Sequence, residues 1–203
     1  MKKIEIKEFG GPEVLEIKNV DIGKPGQNEV LVKNLSIGIN YIDTYHRSGL
    51  YPIPLPSGIG LEACSIIEEV GSEVKLFKVG DRVTRASMPI GTYSEKQIIP
   101  EDKLVKVPDN ISDEVASCIT LKGITAEYLL HRTYQVKKGD KILYHAAAGA
   151  LGQIFCPWAN ALGAEIIGTV GSDEKIEIAK KNGCQHVINY NEKNFVEEVE
   201  KIV

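Results

Sequence analysis

Between Lys141 and Ala161 the chain passes from an apolar run, Lys141-Ile-Leu-Tyr-His145, through Ala146-Ala-Ala-Gly-Ala-Leu-Gly152 into a helical stretch. A turn of small residues between a short buried strand and a helix constrains the fold more than any other feature here, because it belongs to parallel α/β units. The pattern then repeats. Glu165–Val170 reads as a second strand, Ser172 caps a helix ending at Asn182-Gly183, His186–Asn189 forms a third strand, and Asn194–Val203 a last helix. Strand, helix, strand, helix, strand is the first half (βαβαβ) of a doubly wound sheet. Its glycine turn lets a pyrophosphate approach backbone N–H groups at the positive end of a helix. Gly149 permits the closest approach, and Gly152 lets the helix pack on the sheet. Ala147 stands where the first glycine of G-x-G-x-x-G is usual, so the heptapeptide alone reads equally well as a tight turn without a ligand. Its place inside a βαβ unit favours a dinucleotide.

Which dinucleotide depends on the end of the second strand. An NAD site usually carries an acid there, gripping the ribose 2′-hydroxyl. This strand instead ends Gly168-Thr-Val170, followed by Gly171-Ser172 and then Lys175. Room at Gly171, a hydroxyl at Ser172 and a cation at Lys175 suit a 2′-phosphate, so NADPH is the expected cofactor. Asp173 and Glu174 count against it unless they face away as first-turn helix-dipole residues. A solvated helix surface is the plainer reading of Lys175.

The preceding stretch is punctuated differently. Ile4 and Ile6 alternate with charge, Glu29–Gly38 is a longer strand, and Ala63–Val70, Gly80–Val83 and Tyr93–Ile99 follow between turn residues. Many short strands predict a compact antiparallel barrel. After Pro108 the pattern turns helical, with Ser112-Asp-Glu capping a helix toward Leu121 and a second helix from Thr125 to Tyr134. The expected boundary divides residues 1–111 from 112–203.

Composition removes several function classes. Lys and Arg number 24 against 28 Asp and Glu, a formal charge of −4, and aromatics are only 6%. That balance disfavours nucleic acid, which needs a basic surface. No stretch is apolar enough to span a membrane, and Met1–Phe9 alternates charge with apolar residues unlike a secretory signal. The cysteines at 64, 118, 156 and 184 share no metal-ligand spacing. A cytoplasmic location follows as the expectation. The histidines at 46, 131, 145 and 186 form no constellation and read as structural.

Six segments occur in order: Gly10-Gly-Pro-Glu-Val-Leu15, Gly38-Ile-Asn-Tyr-Ile-Asp-Thr-Tyr45, Arg47-Ser-Gly-Leu-Tyr51, Phe77-Lys-Val-Gly-Asp-Arg-Val83, Leu121-Lys-Gly-Ile-Thr125 and Ala146 to Gly152. Together they resemble the quinone oxidoreductase (zeta-crystallin-like) branch of the medium-chain dehydrogenase/reductase superfamily. The resemblance implies a GroES-like antiparallel barrel as catalytic domain, followed by a Rossmann domain that binds NADPH. Zinc members of the superfamily place a Cys ligand where Asn40 stands and a His ligand where Leu61 stands. Neither an amide nor an isobutyl group replaces those ligands, so the implied chemistry is metal-free hydride delivery to a quinone or related conjugated carbonyl.

The resemblance also implies site roles. Tyr41, Ile42, Asp43, Thr44 and Tyr45 would lie beside the nicotinamide and ribose, while Asn40, Tyr45 and Tyr51 line the acceptor pocket. Thr125 would contact the nicotinamide end, with Tyr128 one turn further on. Ala150 and Leu151, with Gly149 and Gly152, would cover the pyrophosphate, and Gly171, Ser172, Lys175 and Tyr190 would hold the 2′-phosphate end. Surface packing is the plainer reading of Tyr45 and Tyr51, and Asp43 is expected to hold backbone rather than act as a base. Full members continue through strands four to six of the order 3-2-1-4-5-6. The chain therefore resembles roughly the N-terminal 60% of one, and its first Rossmann strand would carry an open edge. The expectation is the N-terminal portion of a longer enzyme, with a homodimer or pairing through the sheet edge as possible association. The alternatives are an enal or enone reductase, or an NADPH-binding scaffold without turnover. Pro157, inside the helix after the glycine turn, should kink it.

Overall fold

In a computed structural model that describes residues 1–203, the N-terminal unit, Met1–Leu121, is built on alternating apolar residues. Its strands are β1 (Lys2–Ile6), β2 (Glu16–Asn19), β3 (Glu29–Gly38), β4 (Ser57–Gly58), β5 (Glu62–Val70), β6 (Arg82–Ala86), β7 (Lys96–Pro100) and β8 (Val105–Lys106). They form a five-stranded antiparallel sheet in the order β7-β3-β5-β6-β8 and a three-stranded one, β2-β1-β4. The sheets join where Lys3 bridges Ser94 and where the Ile4 N–H donates to the Tyr93 carbonyl at 2.7 Å. Val30, Val32, Ile67, Val83 and Ile99 fill the interior. The register of β3 on β5 shifts after Leu31 and after Asn34, irregularities that increase twist and help a sheet curl.

Three details depart from expectation. Tyr93 to Glu95 serve as the junction with β1, so β7 starts only at Lys96. β6 begins two residues later than Gly80 and runs to Ala86. The barrel half also contains a helix, α1 (Tyr41–Ser48), closed by Gly49 at φ 81°, a left-handed position that glycine takes without strain.

α2 (Asp113–Glu127) is one continuous helix in place of the two expected. Ser112 Oγ accepts the Val115 N–H at its start, and the helix runs straight through Gly123, whose missing side chain faces open space. It ends in a π-helical turn, Tyr128–Thr133.

The second unit, Lys122–Val203, carries β9 (Lys141–Tyr144), α3 (Gly152–Ala161), β10 (Glu165–Val170), α4 (Glu174–Lys181), β11 (His186–Asn189) and α5 (Phe195–Glu200). The strands are parallel in the order β11-β10-β9, the βαβαβ half read from the sequence. Leu130, Phe155, Cys156, Ala159, Ile166, Val170 and Ala179 form its core. β9 is not the buried strand expected. It pairs on one side only, ends at Tyr144, and leaves Leu143 39% exposed. Ser172 does not cap α4 through its hydroxyl; the cap position is Asp173, and Ser172 offers its carbonyl to the Lys175 N–H at 3.2 Å. α5 is shorter than expected, with Asn194 as its side-chain cap. All four cysteines are free thiols. No helix is long and apolar enough to cross a membrane.

Candidate functional site

The turn from β9 into α3 is held by its own backbone and by neighbours. Gly149 N–H donates to the Ala146 carbonyl at 2.8 Å, Ala147 N–H to the Thr169 carbonyl at 3.1 Å, and Asn182 Nδ2 to the Ala147 carbonyl at 3.1 Å. Ala146 takes a left-handed conformation, φ 56°, which alanine adopts only under constraint. A side chain on Gly152 would sit 2.4 Å from the Ala147 carbonyl oxygen, so only glycine lets α3 start this close to the strand. Gly149 and Ala150 are exposed, whereas Leu151 packs against the core. The first N–H groups of any α-helix lack intrahelical partners and carry partial positive charge. At α3 the Gln153 N–H is already taken by the Gly149 carbonyl at 3.0 Å and the Ile154 N–H by the Leu151 carbonyl at 3.0 Å, so a pyrophosphate would meet the exposed Gly149-Ala150 backbone ahead of the helix.

At the C-terminal end of β10 the chain leaves as Gly171-Ser172. A side chain on Gly171 would meet Tyr190 Oη at 2.6 Å, so the tyrosine, 51% exposed, closes over a glycine backbone. Asn191 Nδ2 donates to the Gly171 carbonyl at 2.7 Å. Asp173, the first acid after the strand, accepts from Asn189 Nδ2 at 2.9 Å, and Lys175 is exposed in the first turn of α4. Gly171, Ser172, Lys175 and Tyr190 thus come together at one corner, with an uncommitted cation and an acid already bonded. A phosphorylated ribose fits that donor set better than one read by a carboxylate. Asn189 and Asn191 were missed from the sequence. Their signal lay in polar amides flanking Tyr190 at a strand end, where turn and cap roles compete with site roles.

In the first unit, α1 and the turn after it present three rings in sequence. Tyr41 meets Tyr45 edge-on at 5.3 Å between centroids, and Tyr45 meets Tyr51 at 5.2 Å. Tyr41 and Tyr51 are exposed, so this is an apolar wall with phenols at its rim. Ile42 and Thr44 are half-buried, the Thr44 hydroxyl donating to the Tyr41 carbonyl at 2.6 Å. Asp43 holds the backbone, as expected: its Oδ2 accepts from the Asn40 N–H at 2.9 Å and from the Tyr93 hydroxyl at 2.8 Å. Burial, then the Asp43 carboxylate, pushes the Tyr93 phenol well above its ordinary value.

Asn40 is buried, its Nδ2 donating to Glu62 Oε2 at 2.9 Å, and Glu62 Oε1 accepts the Leu121 N–H at 2.7 Å. Nearby, Asp113 pairs with Arg82 at 2.6 Å and accepts from Cys64 Sγ. Burial raises the Cys64 thiol to about 11, which leaves it unreactive at neutral pH.

In the second unit Thr125 is half-buried near the end of α2. Tyr128, where the π-turn begins, opens onto a groove of about 770 Å³ shared with Gly123, Ile124, Glu127, Arg132 and Trp158. The histidines are dispersed: His145 bonds Thr169, His186 bonds Glu165, His131 leans on Trp158, and His46 lies on the buried face of α1.

Comparison with known proteins finds two family models along the chain. Residues 26–109 match the family model described as alcohol dehydrogenase GroES-like domain, and residues 150–203 match zinc-binding dehydrogenase. Quinone oxidoreductase of Pseudomonas aeruginosa is 50% identical over 98% of this chain, and a 2-haloacrylate reductase of a Burkholderia species is 47% identical over 97%. In each case the chain spans 61% of the relative's length. The crystal structure of Escherichia coli quinone oxidoreductase complexed with NADPH superposes with a TM-score of 0.96 at 49% identity, over 100% of this chain and 62% of that one.

Proposed function

We propose that the chain is a member of the quinone oxidoreductase branch of the medium-chain dehydrogenase/reductase superfamily, to whose members it is similar, and that it binds NADPH and serves hydride transfer to quinones or related conjugated carbonyls. The observation that carries this is the corner after β10, where Tyr190 closes over Gly171, Lys175 stands exposed and the first acid is tied to Asn189. Residues 1–111 are read as the GroES-like catalytic domain and 112–203 as the nucleotide-binding one.

NADPH, when bound, supplies a hydride from its nicotinamide ring. The work of this chain's residues is to bind, orient and donate. Gly149, Ala150, Leu151 and Gly152 shape the pyrophosphate turn, and Gly171, Ser172, Lys175 and Tyr190 hold the 2′-phosphate. Tyr41 to Tyr45, Thr125 and Tyr128 take the nicotinamide-facing roles that the family implies. Tyr45 and Tyr51 give a flat acceptor an apolar wall, and their phenols donate to an oxygen as negative charge builds on it. Asn40, its amide fixed by Glu62, bounds that pocket, and a hydroquinone takes its second proton from water. The reading is metal-independent because Asn40 and Leu61 supply an amide and a hydrocarbon at the zinc-ligand positions. A cytoplasmic location is part of this reading, since isolated thiols suit a reducing compartment.

A second reading, reduction of an activated alkene in an enal, enone or unsaturated acid, is supported by the similarity to 2-haloacrylate reductase. It requires a proton source for the α-carbon as well as a donor to the carbonyl oxygen.

Calorimetric titration tests the cofactor assignment. NADPH binding in the micromolar range with NADH about tenfold weaker supports it. Equal binding overturns the roles of Lys175 and Tyr190, and no binding of either overturns the dinucleotide site. NADPH oxidation with 1,4-benzoquinone against 2-cyclohexenone then separates the two acceptor classes.

A further inference from the structure

We propose that Asn189 is a specificity-positioning residue: by tethering the Asp173 carboxylate, it keeps the first acid after β10 away from the 2′-phosphate and lets the chain prefer NADPH over NADH. The inference rests on the cofactor reading above and extends it to a residue that never touches the cofactor.

An acid just past the second strand of a mononucleotide fold is the usual NAD determinant, taking ribose hydroxyls and repelling a 2′-phosphate. Asp173 stands at that location, which by itself argues for the wrong cofactor. Asn189 resolves the conflict. It ends β11 and is paired in register with Val170, the last residue of β10, so its side chain begins beside the point where the Gly171–Asp173 loop departs. Only 7% of it is exposed. Its Oδ1 accepts the Asn191 N–H at 3.1 Å, which fixes the amide's orientation and turns Nδ2 toward Asp173. The bond to Asp173 Oδ1 is 2.9 Å.

The residue type matters. A planar amide offers one acceptor and one donor at opposite corners, matching an N–H on one side and a carboxylate on the other. A carboxylate at 189 would face Asp173 with a like charge, and a hydroxyl would be too short. Asn191 grips the same loop from the other end through the Gly171 carbonyl, and Tyr190 lies between the two amides over Gly171. The loop is therefore held with its first acid tied down, and Lys175 stands exposed in the first turn of α4 between Glu174 and Glu177.

A mutant cycle on the 203-residue protein tests this. Dissociation constants for NADPH and NADH, and for the fragments 2′,5′-ADP and 5′-AMP, are measured by calorimetry, so nothing depends on turnover. Asn189→Ala is expected to reduce the preference for the 2′-phosphorylated ligands about tenfold, the scale of one freed carboxylate beside a phosphate in screened surroundings. Asp173→Asn should change the preference less than about twofold in the native background and restore it in the Asn189→Ala background. Should Asn189→Ala fail to fold, Asn189→Asp keeps the acceptor for Asn191. It is expected to lose the preference and to regain it when combined with Asp173→Asn, which swaps donor and acceptor. Equal weakening of all four ligands without rescue would show that Asn189 merely builds the loop and would overturn the proposal. So would an Asp173→Asn effect equally large in both backgrounds. A native protein that binds NADPH no better than NADH would instead bring down the cofactor reading, and this inference with it.

Discussion

Two glycines show how one residue type answers different demands. A methyl on Gly152 meets a backbone carbonyl at 2.4 Å, which cannot yield without moving α3. Gly152→Ala is therefore expected to cost about 1–3 kcal/mol in denaturant unfolding. A methyl on Gly171 meets the tip of a half-exposed tyrosine, which can swing away. Gly171→Ala should leave stability within about 0.5 kcal/mol while weakening NADPH binding, measured on the same preparation. Tyr93 gives a pH-dependent case. Its hydroxyl donates to Asp43, whose other oxygen has no partner in the protein, so Tyr93→Phe should cost about 1.5–3 kcal/mol at neutral pH. The raised phenol also sets a sign. Its contribution is fully present below the unfolded tyrosine value of about 10. As pH rises further the unfolded chain ionises first and stability falls, until the folded phenol ionises too. Tyr93→Phe should flatten that alkaline decline in a series of thermal melts.

At the level of elements, the strands with strong apolar patterns were legible to the residue, as Glu29–Gly38, Glu165–Val170 and His186–Asn189 show. α1 was not, because its eight residues lie within a half dominated by strand signals. The clue was present in Asn40 and Asp43, three apart at a helix start, and in Gly49 at its end. α2 was expected as two helices, one toward Leu121 and one from Thr125, but it is continuous through Gly123, where a glycine costs only about 1 kcal/mol relative to alanine. The site corner was half legible. Gly171, Lys175 and Tyr190 stood out by residue type, whereas the bond between Asn189 and Asp173 joins residues 16 apart and needs the strand register to be seen. Pro157 lies well inside α3 and is exposed, and nothing in the structure explains it. Pro157→Ala restores a backbone donor toward the Gln153 carbonyl and is expected to raise stability by about 1–2 kcal/mol, net of the looser unfolded chain. No gain in the unfolding midpoint would mean that α3 has adapted fully to the proline.

At the scale of the whole molecule, the parallel sheet ends in a strand with an unpaired side and a half-exposed leucine, Leu143. Unpaired strand edges recruit other strands. The protein is expected to associate as its concentration rises, and Leu143→Lys to shift it toward monomer in sedimentation velocity. Association unchanged by that lysine would place the contact on another surface. The relatives it matches are longer than this chain, which spans 61% of the Pseudomonas aeruginosa enzyme. The two units nevertheless carry separate cores, so their unfolding should be resolvable as more than one transition.

The amide of Asn182 that braces the Ala147 carbonyl belongs to an Asn-Gly pair. Among dipeptides this is the one that ages fastest, since the glycine nitrogen readily attacks the asparagine side chain and expels ammonia. Here the Gly183 N–H is already bonded to the Lys180 carbonyl at 2.9 Å, which turns the nucleophile aside. The end of α4 thus acts as a preservative for the nucleotide turn. Each excursion that frays it exposes the brace to chemical loss, and the lifetime of the site is set by how seldom that helix end comes undone.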